Sequence, residues 1–218
     1  LKIDPPAAAD APPGDGRRYH HGNLREALLA AAEAELEAAG IERFSLRAVA
    51  KRAGVSHAAP AHHFGDATGL LTALAEIGYR ALDAELRACG DAEPDPVRRL
   101  DGAGVGYVRF AMARPALFRL IFSSARPDFA QPELKAASDA AFETLARDVE
   151  ALTGADPFRC EAAMRDLMIA WGLVHGLADL MNAGRLIPLL AQEAEEREGT
   201  LRDLMRRALQ ARPGARGA

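Results

Sequence analysis

The sequence predicts an all-α protein, and three observations carry that prediction. Of 218 residues, only eighteen are Val, Ile or Thr, the β-branched side chains that suit strands. Ala and Leu dominate the 49% apolar fraction instead, and both favour helices. No stretch alternates apolar and polar residues for a strand's length, whereas apolar residues recur at three- and four-residue spacing along much of the chain.

Residues 1–16, rich in Pro, Ala and Asp, read as a disordered tail. Arg17 and Arg18 follow, either as a basic arm suited to a minor groove or to phosphates or as an ordinary polar lead-in. A first helix is expected from Asn23 to Ala39, broken at Gly40.

The stretch from Ser45 to Phe64 reads as a helix-turn-helix. Ser45 is a good N-cap. Leu46, Val49, Ala50 and Ala53 form one apolar helical face. Gly54 can turn the chain out of that helix with positive φ. Val55 supplies a buried contact in the turn, and Ser56 can cap a second short helix ending near Phe64. Pro60 must then lie in that helix's first turn, where a missing N–H is tolerated. Two short helices joined in this way are the unit whose second helix enters the DNA major groove, although such pairs also serve as plain packing units.

A long fourth helix is expected from Ala67 to Ala88, with Leu70, Leu71, Leu74, Ile77, Ala81, Leu82 and Leu86 on a broad apolar face. The Pro- and Gly-containing segment 90–96 ends it. Further helices are expected at Val97–Ala113, Ala116–Phe122 and Glu133–Leu152. Asp156-Pro157 reads as an N-cap plus first-position proline, opening a helix to Ala183. Its apolar stripe runs through Cys160, Met164, Leu167, Met168, Trp171, Val174, His175, Ala178 and Met181. After Pro188 a last helix runs to Ala211, acidic in its first half and basic in its second. That polarity suits the helix macrodipole, antiparallel pairing of two copies, or simple solvated faces.

The window Tyr19–Leu86 resembles the N-terminal domain of the TetR family of transcriptional regulators. The matching pieces are the first helix and its Gly40-Ile41 break, Phe44-Ser45-Leu46-Arg47, Val49-Ala50, Ala53-Gly54-Val55-Ser56, His63-Phe64 and Leu70-Leu71. Trp171-Gly172-Leu173-Val174-His175-Gly176 is similar to the tryptophan-x-x-x-histidine-glycine signature of one C-terminal subgroup. The resemblance implies a helix-turn-helix domain over residues 17–80, with the motif at about 45–64. It implies a helical regulatory and dimerisation domain over 81–212, the boundary lying inside the long fourth helix; residues 213–218 are a tail.

The resemblance implies a sequence-specific DNA-binding regulator, and the expectation is a repressor released from its operator by a small molecule. On that reading His57, Ala58, Ala59, Ala61 and His62 face bases or sugar-phosphate, with Ser56 at the helix start. Ser45, Arg47 and His63 hold the backbone, and Arg17, Arg18 and Thr68 are further DNA candidates. The chain departs from the family pattern at Ala61 and Ala67, where many members carry a tyrosine and a lysine that touch phosphates. Phosphate contacts supply much of DNA affinity, so the alternative is a ligand-binding helical dimer with weak or lost DNA binding.

One short recognition helix reads few base pairs, so two copies on a palindromic double-stranded operator are expected. The last two long helices are the candidate homodimer interface, forming a four-helix bundle with the partner's pair. The second domain exceeds what dimerisation needs, and the resemblance implies an enclosed, unidentified small apolar ligand. Candidate lining residues are Tyr107, Phe110, Phe118, Phe122, Phe142, Met164, Met168 and Trp171, with His175 as a polar anchor. The competing role for each is ordinary core packing.

Other functions find little support in the residues. Formal net charge is −4, so this is no bulk polycation, yet residues 17–64 hold seven Lys or Arg against five Glu. His175 lies one turn before Asp179 and invites a pair, but nothing resembles a nucleophile elbow, so no catalytic residue and no enzyme is expected. His57, His62 and His63 lack the companions of a structural metal site, and no cofactor is called for. Cys89 and Cys160 are expected as buried free thiols. No apolar run reaches membrane-spanning length and no signal peptide is visible, so a soluble cytoplasmic protein without membrane contact is expected.

Overall fold

The computed structural model describes residues 21–210; the tails at 1–16 and 213–218 and the Arg17-Arg18 arm lie outside them. The described residues form ten α-helices and no strand, in agreement with the all-α expectation. The helices are α1 (His21–Ala39), α2 (Leu46–Ala53), α3 (Ala59–Phe64), α4 (Ala67–Gly90), α5 (Pro96–Ala113), α6 (Pro115–Ser123), α7 (Pro132–Thr153), α8 (Glu161–Asn182), α9 (Ile187–Leu190) and α10 (Ala194–Gln210). None of them is long and apolar enough to cross a membrane.

The α2–α3 unit forms for local reasons. The Ser45 hydroxyl accepts from the Ala48 N–H at 3.3 Å, capping α2. Gly54 ends it in the left-handed region at φ 69°, its N–H bonded to the carbonyls of Ala50 and Lys51. Pro60 sits in the first turn of α3 and is buried. Ser56 does not cap α3 with its side chain. Its carbonyl accepts from Ala59 at 3.0 Å, and Ala58 occupies the N-cap position. The turn after Gly54 is therefore longer than the sequence suggests, and α3 starts two residues later.

α4 is capped by Asp66, whose carboxylate accepts from the Gly69 N–H at 2.8 Å. Its first turns, through Leu70, Leu71 and Leu74, belong to the same continuous core as Leu28, Leu36 and Val49 of the head. Its later turns, through Tyr79, Leu82 and Leu86, pack against α5, α6 and α7. One core thus runs through both halves along α4. A second, smaller cluster joins Leu100, Ala146, Val149, Leu167, Ala170 and Leu209 at the far end of the body.

Two expected helices have different limits. α8 begins at Glu161 rather than Pro157. The Asp156 carboxylate accepts from the Phe158 N–H at 2.8 Å, and the Asp156 carbonyl accepts from Arg159 and Cys160. The Asp-Pro pair therefore builds a separate turn, and Cys160 sits at the N-cap of α8. The final helix is not continuous: α9 and α10 are separated at 191–193, where Ala191 and Gln192 bond back to Ile187 and Leu189. The charges of α10 are largely spent within the chain. Arg206 pairs with Asp101 at 2.8 Å, Arg207 with Asp203 at 2.8 Å, and Glu198 with Arg109 at 2.6 Å.

Candidate functional site

The head presents a basic surface at the junction of α2 and α3. Ser45, Arg47, Ala48, Lys51 and His57 line one shallow, open concavity there. Arg47 and Lys51 lie one helical turn apart, both exposed, and neither pairs with a carboxylate among the described residues. By contrast Arg52 is held by Glu35 at 3.0 Å, and the Arg25 guanidinium lies 5.3 Å from the centre of the Phe64 ring. Two cations on one face of α2, Arg47 in its first turn and Lys51 in its last, suit an anion such as a DNA phosphate. Lys51 is the addition that sequence reasoning missed; its i, i+4 spacing from Arg47 was the available signal.

The other sequence candidates divide by exposure. Ser56, His57, Ala58, Ala61, His62 and Thr68 are exposed, whereas Ala59 and His63 are half-buried. The His62 and His63 rings meet edge-on, their centres 5.5 Å apart. The Ser45 hydroxyl already serves as the α2 cap.

The body holds a cavity of about 420 Å³ between the two apolar clusters, within the range of drug-sized ligand sites. Of the sequence candidates, Tyr107, Phe122, Phe142, Trp171 and His175 line it. Four do not. Phe110 and Phe118 are fully buried core residues, and Phe118 stands behind the wall against Tyr107, Phe122 and His175. Met164 packs half-buried on the second cluster. Met168 faces outward, 61% exposed. Periodicity places a residue on an apolar face but cannot say whether that face meets core, cavity or another molecule.

Structure adds wall residues that the sequence did not single out, notably Tyr79 on α4, Ser138 and Asp139 on α7, and Met205 and Leu209 on α10. Tyr79 donates to the Ile121 carbonyl at 3.1 Å, tying α4 to α6. Burial pushes its hydroxyl above the ordinary tyrosine range, and the Ser138 side chain opposes that shift.

At the inner wall the Tyr107 hydroxyl lies 2.8 Å from His175 Nδ1. His175 therefore pairs across to α5 and not with Asp179 along its own helix. Burial raises Tyr107 strongly, and a hydrogen bond from Trp171 works against that. Tyr107 stays protonated at any physiological pH. The rings of Tyr107, Phe118, Phe122 and His175 form one cluster with centres 5.1 to 6.2 Å apart.

The cavity is joined to the head by polar links as well as by α4. Arg126, beyond α6, donates to the Ile41 carbonyl. The Asp128 N–H donates to Thr72 Oγ1 at 2.9 Å. Arg114 faces Glu33 of α1 at 3.6 Å.

Comparison with known proteins agrees with this arrangement. Residues 28–74 match the family described as bacterial regulatory proteins, tetR family. Residues 100–208 match the tetracyclin repressor-like C-terminal domain. No curated protein matches the chain. Among solved structures it is similar to a protein of unknown function from Rhodococcus sp. RHA1, at 34% identity and a TM-score of 0.72, over 88% of this chain and 98% of that one. A TetR-like transcriptional regulator from the same organism shares the fold, at 20% identity and a TM-score of 0.62, over 89% and 100% of the two chains. A TetR family transcription regulator from Marinobacter aquaeolei VT8 does so at 21% and 0.63, over 85% and 94%. With both the head and the body matched in order, the chain belongs to the TetR family of DNA-binding transcriptional regulators.

Proposed function

We propose that this regulator is a homodimeric repressor of a palindromic operator, released when a small molecule fills the cavity of the body. The observation that carries the reading is the course of α4. One helix supplies core residues of the head, Leu70, Leu71 and Leu74, and walls of the cavity, Tyr79, Leu82 and Leu86. A ligand that favours one position of α4 over another acts on the head of its own subunit through that one helix, and in the dimer each half-site is reached by its own copy of α4.

On this reading Arg47, Lys51 and Ser45 grip the phosphate backbone, with Arg17, Arg18, His63 and Thr68 as further backbone contacts. His57, Ala58, Ala59, Ala61 and His62 face the groove around the start of α3. Two copies pair through α8 and α10. The outer face of α8 supports this: Met168, Ile169 and Leu180 are exposed apolar residues, and Gly172 and Gly176 between them have open space where a side chain would stand.

Fluorescence anisotropy of labelled genomic fragments tests the proposal, at low salt and with a library of candidate effectors. Salt-dependent binding of a palindromic fragment, lost on effector addition, is the expected result. Ala61 and Ala67 favour the opposing outcome, in which no fragment binds at low salt while small molecules still do.

A further inference from the structure

The tyrosine hydroxyls of the cavity are engaged within the protein. The Tyr79 hydroxyl donates to the Ile121 carbonyl. Among the described residues no carbonyl or carboxylate accepts from the Tyr107 hydroxyl, so its hydrogen goes to His175 Nδ1, 2.8 Å away. An imidazole that accepts at Nδ1 carries its proton on Nε2. Among the described residues Nε2 has no hydrogen-bond partner, and His175 lines the cavity.

The charges around the cavity are equally one-sided. No lining residue is Lys or Arg. The one carboxylate is Asp139, half-exposed and paired with Lys135. An anion placed inside would lose its water, find no counter-charge and meet that carboxylate.

From this arrangement we propose that the cavity binds an uncharged, largely aromatic molecule with one strong acceptor oxygen, a ketone-type carbonyl, that takes a hydrogen bond from His175 Nε2–H. The inference rests on the cavity being the effector site. It adds the ligand's chemistry: aromatic surface against Phe122, Phe142 and Trp171, one acceptor toward α8, and no negative charge.

Three matched probes test it on the full-length chain. Benzophenone has two rings and a ketone, diphenylmethane lacks the carbonyl, and 4-benzoylbenzoate adds a carboxylate. Calorimetry gives their dissociation constants, and fluorescence of Trp171, the only tryptophan, shows that they enter the cavity. Benzophenone should bind roughly tenfold more tightly than either of the others. His175→Leu should erase its advantage over diphenylmethane, and His175→Gln, which keeps an N–H donor, should restore it. Independently of any ligand, ¹⁵N NMR of the free protein should show His175 protonated at Nε2 with Nδ1 accepting. The proposal is overturned by tighter binding of the carboxylate, by an advantage that survives His175→Leu, by a proton on Nδ1, or by no binding of all three probes. Operator affinity separates the two readings. If benzophenone binds in the expected pattern and DNA is not released, the cavity chemistry stands and the effector role falls. If DNA is released by carboxylates and not by ketones, the reverse holds.

Discussion

Tyr107 and His175 meet across the α5–α8 contact, hydroxyl to Nδ1, at the inner wall of a largely apolar cavity. A buried polar pair of this kind is stable only because each partner satisfies the other. It also stands one ring away from α4, since Phe122 packs on both Tyr107 and His175 and, edge-on at 5.9 Å, on Tyr79. These ring contacts link the cavity wall at His175 to Tyr79 of α4, the helix that continues into the head.

Tyr79→Phe tests that mechanical link. The substitution keeps the ring and removes the hydrogen bond to the Ile121 carbonyl. Stability in urea should fall by about 1 kcal/mol. DNA affinity without effector should change little, while the loss of affinity caused by an effector should shrink. An unchanged effector response would place the coupling elsewhere, in the Arg126–Ile41 or Arg114–Glu33 links.

Arg47→Ala and Lys51→Ala test the basic surface. Each should weaken binding to all DNA sequences alike, and each should lower the dependence of log affinity on log salt by about one. Arg52→Ala is the control, because Arg52 is engaged by Glu35. A salt slope unchanged in both variants would remove them from the phosphate contacts.

Ser45→Ala should cost about 1 kcal/mol of stability, read as a lower melting temperature. Gly54→Ala should cost about 1–2 kcal/mol, since φ 69° is unfavourable for a residue with a Cβ. Both positions were legible in the sequence, because a cap and a left-handed stop are set by the few residues around them. The same locality explains α4 and the Pro60 position. It failed at Asp156-Pro157, where a good start signal built a separate turn, and after Pro188, where one expected helix is interrupted between α9 and α10.

The cavity was only partly legible for a different reason. Tyr107, Phe122, Phe142, Trp171 and His175 could be named because aromatic residues on an apolar face are few. Tyr79, Ser138 and Asp139 could not, because their place depends on how α4 and α7 dock on α5 and α8. Phe110 and Phe118 carry the same local signature as Phe122 and differ only in what lies across from them.

The buried carboxylates of Asp101 and Asp148 predict a pH dependence of opposite sign to ordinary acid denaturation. Burial raises both above the usual carboxylate range, and the ion pairs with Arg206 and Arg147 only partly offset it. The folded state then holds these protons at pH values where the unfolded chain has released them. Stability contributed by each group is present below the unfolded carboxylate value, near pH 4, and is lost as pH rises toward the folded value. Asp148→Asn removes the cost of ionising Asp148, and Arg147 keeps Asp91 as a partner at 2.8 Å. Urea titrations at pH 4, 5.5 and 7 should show the variant gaining on the parent as pH rises. A difference independent of pH would show that Asp148 titrates normally.

Gly106→Ala probes how the cavity is held open. A Cβ on Gly106 would lie 2.3 Å from the Glu85 carbonyl oxygen, and the obstacle is the backbone of α4, so no rotamer change relieves it. α4 and α5 would have to separate by a fraction of their contact distance along the line where they pack closest. The cost should be at least about 1–3 kcal/mol, as for other overpacked contacts. The cavity lies between Leu82 and Leu86 of α4 and Ala103, Gly104 and Tyr107 of α5, so the same shift deforms its walls. The variant should therefore unfold at lower urea and bind cavity probes more weakly, and its DNA affinity without effector should move as well, because α4 continues into the head. If stability falls while DNA affinity stays fixed, the α4–α5 contact supports the fold without setting the position of the reading head.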